Sequence, residues 1–279
     1  MIYRKKKQGD LTTRQLLLSG NKVVSYTDSE QGDFTLLFIH GFPFNKDFWQ
    51  PQLSFFSSIC RVVAYDVRGY GSSSKVTDNF TVDDLGDDLV SLITTLQLNR
   101  VVLCGLSMGG YIALNVIGRY PQHVSGIILC DTQCTADTDE MREKRFHAID
   151  LIQKGGKDAY IHTSLKNLFA PQSFSTHPQS VEFIRNIMNK ADAEIIYNTL
   201  KALAGRHETC SSLATIQVPA LVICGVEDAM TPVAKAEYMH RHITGSSLVL
   251  IPDAGHVTNH EATETFNNCV SEFLQKNFN

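Results

Sequence analysis

Six short apolar runs limit what this chain can fold into: "FTLLFI" from Phe34, "VVAY" from Val62, "VVLC" from Val101, "GIILC" from Gly126, "ALVIC" from Ala220 and "LVLI" from Leu248. Each is apolar on both alternating faces, which predicts strands covered on two sides, as in a parallel sheet. Between them apolar residues recur at spacings of three and four, at Val82, Leu85, Leu89, Leu92, Ile93 and Leu96 and again at Ala262, Phe266, Val270, Phe273 and Leu274. Those stripes predict amphipathic helices, so the chain alternates as βαβ crossovers. The more polar "NKVVSY" from Asn21 predicts a short antiparallel start to the sheet.

One segment breaks the alternation. From Thr135 to His207 no strand-like run occurs, but four helical stripes do: Met141/Ala148/Ile149/Ile152, Ile161/Leu165/Leu168, Val181/Ile184/Met188 and Ile196/Leu200/Leu203. They are punctuated by Gly155-Gly156 and by the stretch from Pro171 to Pro178. We read residues 135–207 as a helical cap inserted into a single α/β domain formed by residues 1–134 and 208–279.

The net charge of -4 argues against a nucleic-acid partner. No run approaches the roughly 20 apolar residues of a membrane span, and "MIYRKKKQGD" has no apolar stretch after its basic residues. The expectation is a cytoplasmic protein without membrane contact, with Arg4 to Lys7 as a solvated end. The seven cysteines include Cys104, Cys130 and Cys224 inside apolar runs, and none is spaced for a metal. They read as reduced core residues, not as a disulfide or zinc framework.

Gly105-Leu106-Ser107-Met108-Gly109 is a GxSxG sequence between a strand-like run and the helix-like "YIALNVI". A turn that sharp strains the serine backbone and leaves no room for neighbouring side chains, which is why glycines flank it. The hydroxyl then projects from the carboxyl edge of the sheet, at a helix N-terminus suited to an oxyanion. A serine becomes a nucleophile only when a base takes its proton, and that base needs an acid to orient it. His256 follows the last strand-like run, and Asp228 follows the preceding one. Both loops open at the same edge as Ser107. His260 is the alternative base, and Asp131 and Glu227 are alternative acids. Backbone N–H groups of Met108 and Phe42, the latter next to Gly41, are the expected oxyanion donors. His40 reads as a structural hydrogen bonder, Asp66 and Arg68 as a local pair closing a turn, and Trp49 as packing under the first loop. Phe146, Phe169 and Phe174 are candidate walls of an apolar acyl pocket.

Taken together, His40-Gly41, Asp66-Val67-Arg68-Gly69, the Ser107 turn, Asp228 with Thr231-Pro232, and Gly255-His256 resemble the α/β-hydrolase superfamily over nearly the whole chain. The resemblance implies a mostly parallel eight-stranded sheet flanked by helices, a helical cap after the sixth strand, and a Ser-His-Asp triad of Ser107, His256 and Asp228 without metal or organic cofactor. "CGLSMGGYIAL" and "YPQHVSGIILCDT" are most similar to the 3-oxoadipate enol-lactonase and carboxylesterase branch, although Gly41 stands where those lactonases commonly have serine. The implied activity is hydrolysis of a small to medium ester or lactone. A non-hydrolytic receptor on the same fold, a cofactor-free perhydrolase and a C–C bond hydrolase are the alternatives.

Overall fold

The apolar runs become the centre of one eight-stranded sheet. The computed structural model describes residues 11–75 and 78–278; Arg4 to Lys7 lie outside them. The strands are β1 (Thr12–Leu18), β2 (Lys22–Asp28), β3 (Thr35–Ile39), β4 (Arg61–Tyr65), β5 (Val101–Leu106), β6 (Gly126–Cys130), β7 (Ala220–Gly225) and β8 (Ser247–Ile251), in the order β1-β2-β4-β3-β5-β6-β7-β8. β1 pairs antiparallel with β2 and β2 with β4, and every later pairing is parallel. The helices are α1 (Gln50–Phe56), α2 (Val82–Thr95), α3 (Met108–Arg119), α4 (Asp139–Gln153), α5 (Lys157–Leu168), α6 (Ser173–Thr176), α7 (Pro178–Lys190), α8 (Ala193–Ala204), α9 (Val233–His242), α10 (Thr258–Glu261) and α11 (Thr263–Phe278).

β3, β5, β6 and β7 are buried along their whole length because helices cover both faces. β8 departs from the expectation of two covered faces: as an edge strand it leaves Ser247 and Leu250 exposed and buries fully only Ile251. β1 was not legible as a separate strand, because "TTRQLLL" is largely exposed and lacks an apolar face. α2 starts where Thr81 and Asp84 form a reciprocal cap, and its buried face is the Val82, Leu85, Leu89, Leu92, Ile93 stripe. Trp49 is fully buried against Phe38, Phe48 and Phe266.

Between β6 and β7 the chain forms no strand, only helices α4 to α8 and a short 3-10 segment at Cys210–Thr215. Their buried residues include Ile149 and Ile152, Ile161, Leu165 and Leu168, Val181, Ile184 and Met188, and Ile196, Leu200 and Leu203.

The cysteines need a correction. Cys60, Cys104, Cys130, Cys224 and Cys269 are free, but Cys134 and Cys210 form a disulfide. These two residues are 76 apart in sequence and meet because the helical segment leaves and re-enters the sheet at neighbouring points; the Thr209 N–H also donates to the Cys134 carbonyl. Such bonds persist in oxidising compartments. Thiol titration of the unfolded, unreduced chain is expected to count the five free cysteines and to miss Cys134 and Cys210. Cys134→Ser is expected to lower stability by about 2–4 kcal/mol in urea titration, since the bond closes a long loop. A full thiol count before reduction would remove the bond from the description.

Candidate active site

Ser107 lies between β5 and α3 with φ 53° and ψ -114°, a strained conformation for a residue with a Cβ. The turn closes because its neighbours have no side chains. A Cβ on Gly105 would lie 2.3 Å from the Gly109 carbonyl oxygen, and one on Gly109 would lie 2.1 Å from that of Ile39. The Ser107 N–H donates to the Cys130 carbonyl (3.0 Å), and the Ser107 carbonyl accepts from Thr132 Oγ1 (2.8 Å), so β6 holds the turn in place.

His256 sits in the turn between β8 and α10 and is 1% exposed. Its Nδ1 lies 2.8 Å from Asp228 Oδ2, which fixes the tautomer: Nδ1–H donates to the carboxylate and Nε2 is left as an acceptor. Nε2 has no hydrogen-bond partner among the described residues. Burial opposes charging this imidazole, but Asp228, Asp131 and Glu261 outweigh it and hold the pKa above the ordinary 6.5. Asp228 follows β7 and also accepts from Met230 N (2.8 Å), Thr231 N (2.9 Å) and Thr231 Oγ1 (2.6 Å). Burial resists its ionisation, but His256 and the Thr231 donors keep its carboxyl below the usual range.

The other candidates separate on geometry. His260 is in α10, where its Nε2 lies 2.7 Å from the Phe48 carbonyl; burial pushes it down to about 4, so it is a neutral donor. Glu227 is exposed and accepts from Gln172. Asp131, at the end of β6, is fully buried but accepts from Gly225 N (2.9 Å) and Thr258 Oγ1 (2.6 Å), with no hydrogen bond to His256.

Ser107, Met108, His256 and Phe42 line one cavity of about 60 Å³, together with Tyr111, Gln133, Met141, Arg145, Leu203, Met230 and Thr231. Met108 is the first residue of α3, where an N–H has no acceptor within its own helix. Phe42 belongs to the loop after β3, whose Phe44 N–H donates to the Gly41 carbonyl (2.9 Å). His40 braces this loop: Nδ1–H donates to the Gly41 carbonyl (2.8 Å) and Nε2 accepts from Val67 N (3.0 Å), with burial holding the ring at about 4 and neutral.

Asp66 and Arg68 do not pair with each other, contrary to the sequence expectation. Asp66 is fully buried and binds Lys46 through its backbone N (2.8 Å) and its Nζ (2.9 Å), tying β4 to the loop after β3. Arg68 turns the other way, to Asp88 on α2 at 2.6 Å.

The aromatic residues expected to wall the pocket are elsewhere. Phe146 is 55% and Phe174 39% exposed, and Phe169 is buried against Phe174; none lines the cavity around Ser107. α4 turns Met141 and Arg145 inward and Phe146 outward, one position on. The wall also carries a charge that sequence reading missed. Arg145 and Arg206 both bind the buried Asp137. Two guanidiniums share one carboxylate, which leaves one positive charge in excess. Arg145 also faces an outer cavity of about 440 Å³ with Lys144, Tyr160 and Ser164, and among the described residues no acidic side chain lines either cavity. The spacing of Arg145 on α4 was visible in the sequence; its pairing across the segment to Arg206 was not.

A family model for the α/β hydrolase fold matches residues 35–263. The chain is 28% identical over 267 residues to 3-oxoadipate enol-lactonase 2 of Acinetobacter baylyi, which covers 95% of this chain and 98% of that protein. It superposes on a thermophilic esterase from Thermogutta terrifontis with a TM-score of 0.90 at 30% identity, covering 95% of this chain and 98% of that one. For the enol-lactonase from Burkholderia xenovorans the TM-score is 0.87 at 25% identity, over 94% and 100% of the two chains.

Proposed function

The chain belongs to the α/β hydrolase fold family, near its enol-lactonase branch, and from that premise we propose that it is a serine hydrolase of small carboxylic esters or lactones, with Ser107, His256 and Asp228 as its triad. The observation that carries this reading is the His256 ring: Nδ1 is committed to Asp228, and the unpartnered Nε2 belongs to a residue that shares a cavity with Ser107. His256 Nε2 takes the Ser107 proton as Oγ attacks the substrate carbonyl, Asp228 stabilises the imidazolium, and the Met108 and Phe42 N–H groups bind the oxyanion. The Oγ–acyl bond forms, the leaving oxygen departs with the proton from His256, and water repeats the sequence to free the acid. Residues 135–207 act as the cap over this site, with α4 and α8 contributing Met141, Arg145 and Leu203.

The test is a burst assay with p-nitrophenyl acetate. One equivalent of p-nitrophenol released rapidly, with an acetyl adduct on Ser107 by mass spectrometry, supports the reading; no burst and no adduct would return the chain to a binding protein. Turnover also has a predictable acidic limb. The base must be neutral, and its neighbours raise the pKa of His256, so kcat/KM is expected to fall as pH drops, with a midpoint above the ordinary imidazole value of about 6.5. A midpoint below that value would contradict the assigned base.

The uncompensated charge beside Arg145 favours substrates whose acyl part ends in a carboxylate. Arg145→Met is expected to lower kcat/KM for p-nitrophenyl hemisuccinate by roughly 10–100-fold, the scale of a charge-assisted hydrogen bond, while p-nitrophenyl butyrate changes little. Asp137 keeps Arg206 in this variant, so the fold is not left with an unpaired acid. Equal losses on both esters would remove the anionic preference.

A further inference from the structure

Asp131 takes no part in the chemistry proposed above, yet its carboxylate is held by hydrogen bonds from two separate turns. It is fully buried at the end of β6, with φ at 44°. One carboxylate oxygen accepts from Gly225 N at 2.9 Å, at the end of β7 and three residues before Asp228. The other accepts from Thr258 Oγ1 at 2.6 Å and Thr258 N at 3.4 Å, two residues after His256. A single side chain thus joins the turn that carries the acid to the turn that carries the histidine. Its oxygen also lies within 4.8 Å of ligand atoms of both Cys224 and Asp228.

We propose that Asp131 is a positioning residue that clamps these two turns, and that its charge helps decide the pH at which His256 takes up a proton. The inference rests on His256 being the base. The groups that face this cluster are Cys224 and Asp228 from the β7 side and His256 and Glu261 from the β8 side; Cys130 precedes Asp131 on its own strand. Cys224 is held protonated by burial, which leaves the carboxylates to act on the imidazole. Burial, and then the Asp228 charge, push the Asp131 carboxyl up to about 7. Ionised Asp131 and protonated His256 each favour the charged form of the other, so the two protonations are coupled. When Asp131 ionises, a second negative charge stabilises the imidazolium, so the His256 proton is held to higher pH.

The test is an NMR titration of the His256 ring, its resonance identified by its loss in His256→Gln, in the wild type, Asp131→Asn and Thr258→Val. Asparagine keeps an acceptor for Gly225 N but carries no charge, and the His256 midpoint is expected to fall by about one pH unit. Valine removes the hydroxyl that favours the ionised Asp131, so the midpoint is expected to fall in the same direction by less. An unmoved midpoint in both variants would overturn the coupling, whatever happens to activity; if Asp131→Asn does not fold, Thr258→Val alone decides. The titration is read without turnover. An active Ser107→Ala would sink the hydrolase reading and leave this result standing.

Discussion

Ser107→Ala is expected to lower kcat/KM for p-nitrophenyl esters by roughly 10⁴-fold or more, on the scale of removing the nucleophile from a serine hydrolase. The loss is that large because the hydroxyl is the only proposed covalent acceptor; what remains is the contribution of the Met108 and Phe42 N–H groups and of binding. Stability is expected to be almost unchanged. The contacts that hold the turn are made by the Ser107 backbone, to the Cys130 carbonyl and Thr132 Oγ1, and alanine keeps them. Alanine also keeps the Cβ, so the strain at φ 53° is neither relieved nor increased. Kinetics with the p-nitrophenyl esters, beside thermal melts, separate the effects. Activity retained within tenfold in a variant that melts like the wild type would exclude Ser107 as the nucleophile.

The second large effect is expected away from the reacting atoms. Asp66→Ala is expected to destabilise the fold by about 3–5 kcal/mol, because it leaves the Lys46 ammonium buried without its main partner. The Lys46 side chain is 7% exposed, its Nζ lies 2.9 Å from Asp66, and its other acid, Asp47, is 3.9 Å away and half exposed. Ser72 N and Lys46 N lose their acceptor in the same change. The loop after β3, which carries the proposed Phe42 donor, is pinned at that point, so kcat is expected to fall as well. Lys46→Met in the Asp66→Ala background removes the stranded charge and is expected to restore part of the stability, which urea titration of the four-member cycle would show. A loss below about 1 kcal/mol for the single variant would mean that solvent reaches Lys46.

Features that depend on local pattern were open to sequence reading. The inner strands announce themselves because both faces are buried, so almost every residue is apolar; β1 and much of β8 do not, because an edge strand can afford polar side chains. The Ser107 turn is legible for a similar reason. Gly105 and Gly109 are demanded by contacts within the β3, β5 and α3 junction, and that demand is written in adjacent residues.

Pairings across long separations were not legible. Asp66 and Arg68 are close in sequence and opposite in charge, yet each finds its partner 20 residues away, on Lys46 and on Asp88, because the chain turns at Val67 to Tyr70 just past β4 and the two side chains share no strand face. The Cys134–Cys210 bond and the sharing of Asp137 by Arg145 and Arg206 depend on where the helical segment re-enters the sheet. The α/β alternation, the strained serine and the chain order of Ser107, Asp228 and His256 could be read from the chain alone, since these follow from short-range sterics and from where strands end. It took the folded molecule to bring His256 Nδ1 to Asp228, to join their two turns through Asp131, and to make Arg145 and not Phe146 the pocket wall. The physical reason is that hydrogen bonds and charge pairs are selected by distance in space, which one chain's local pattern does not encode.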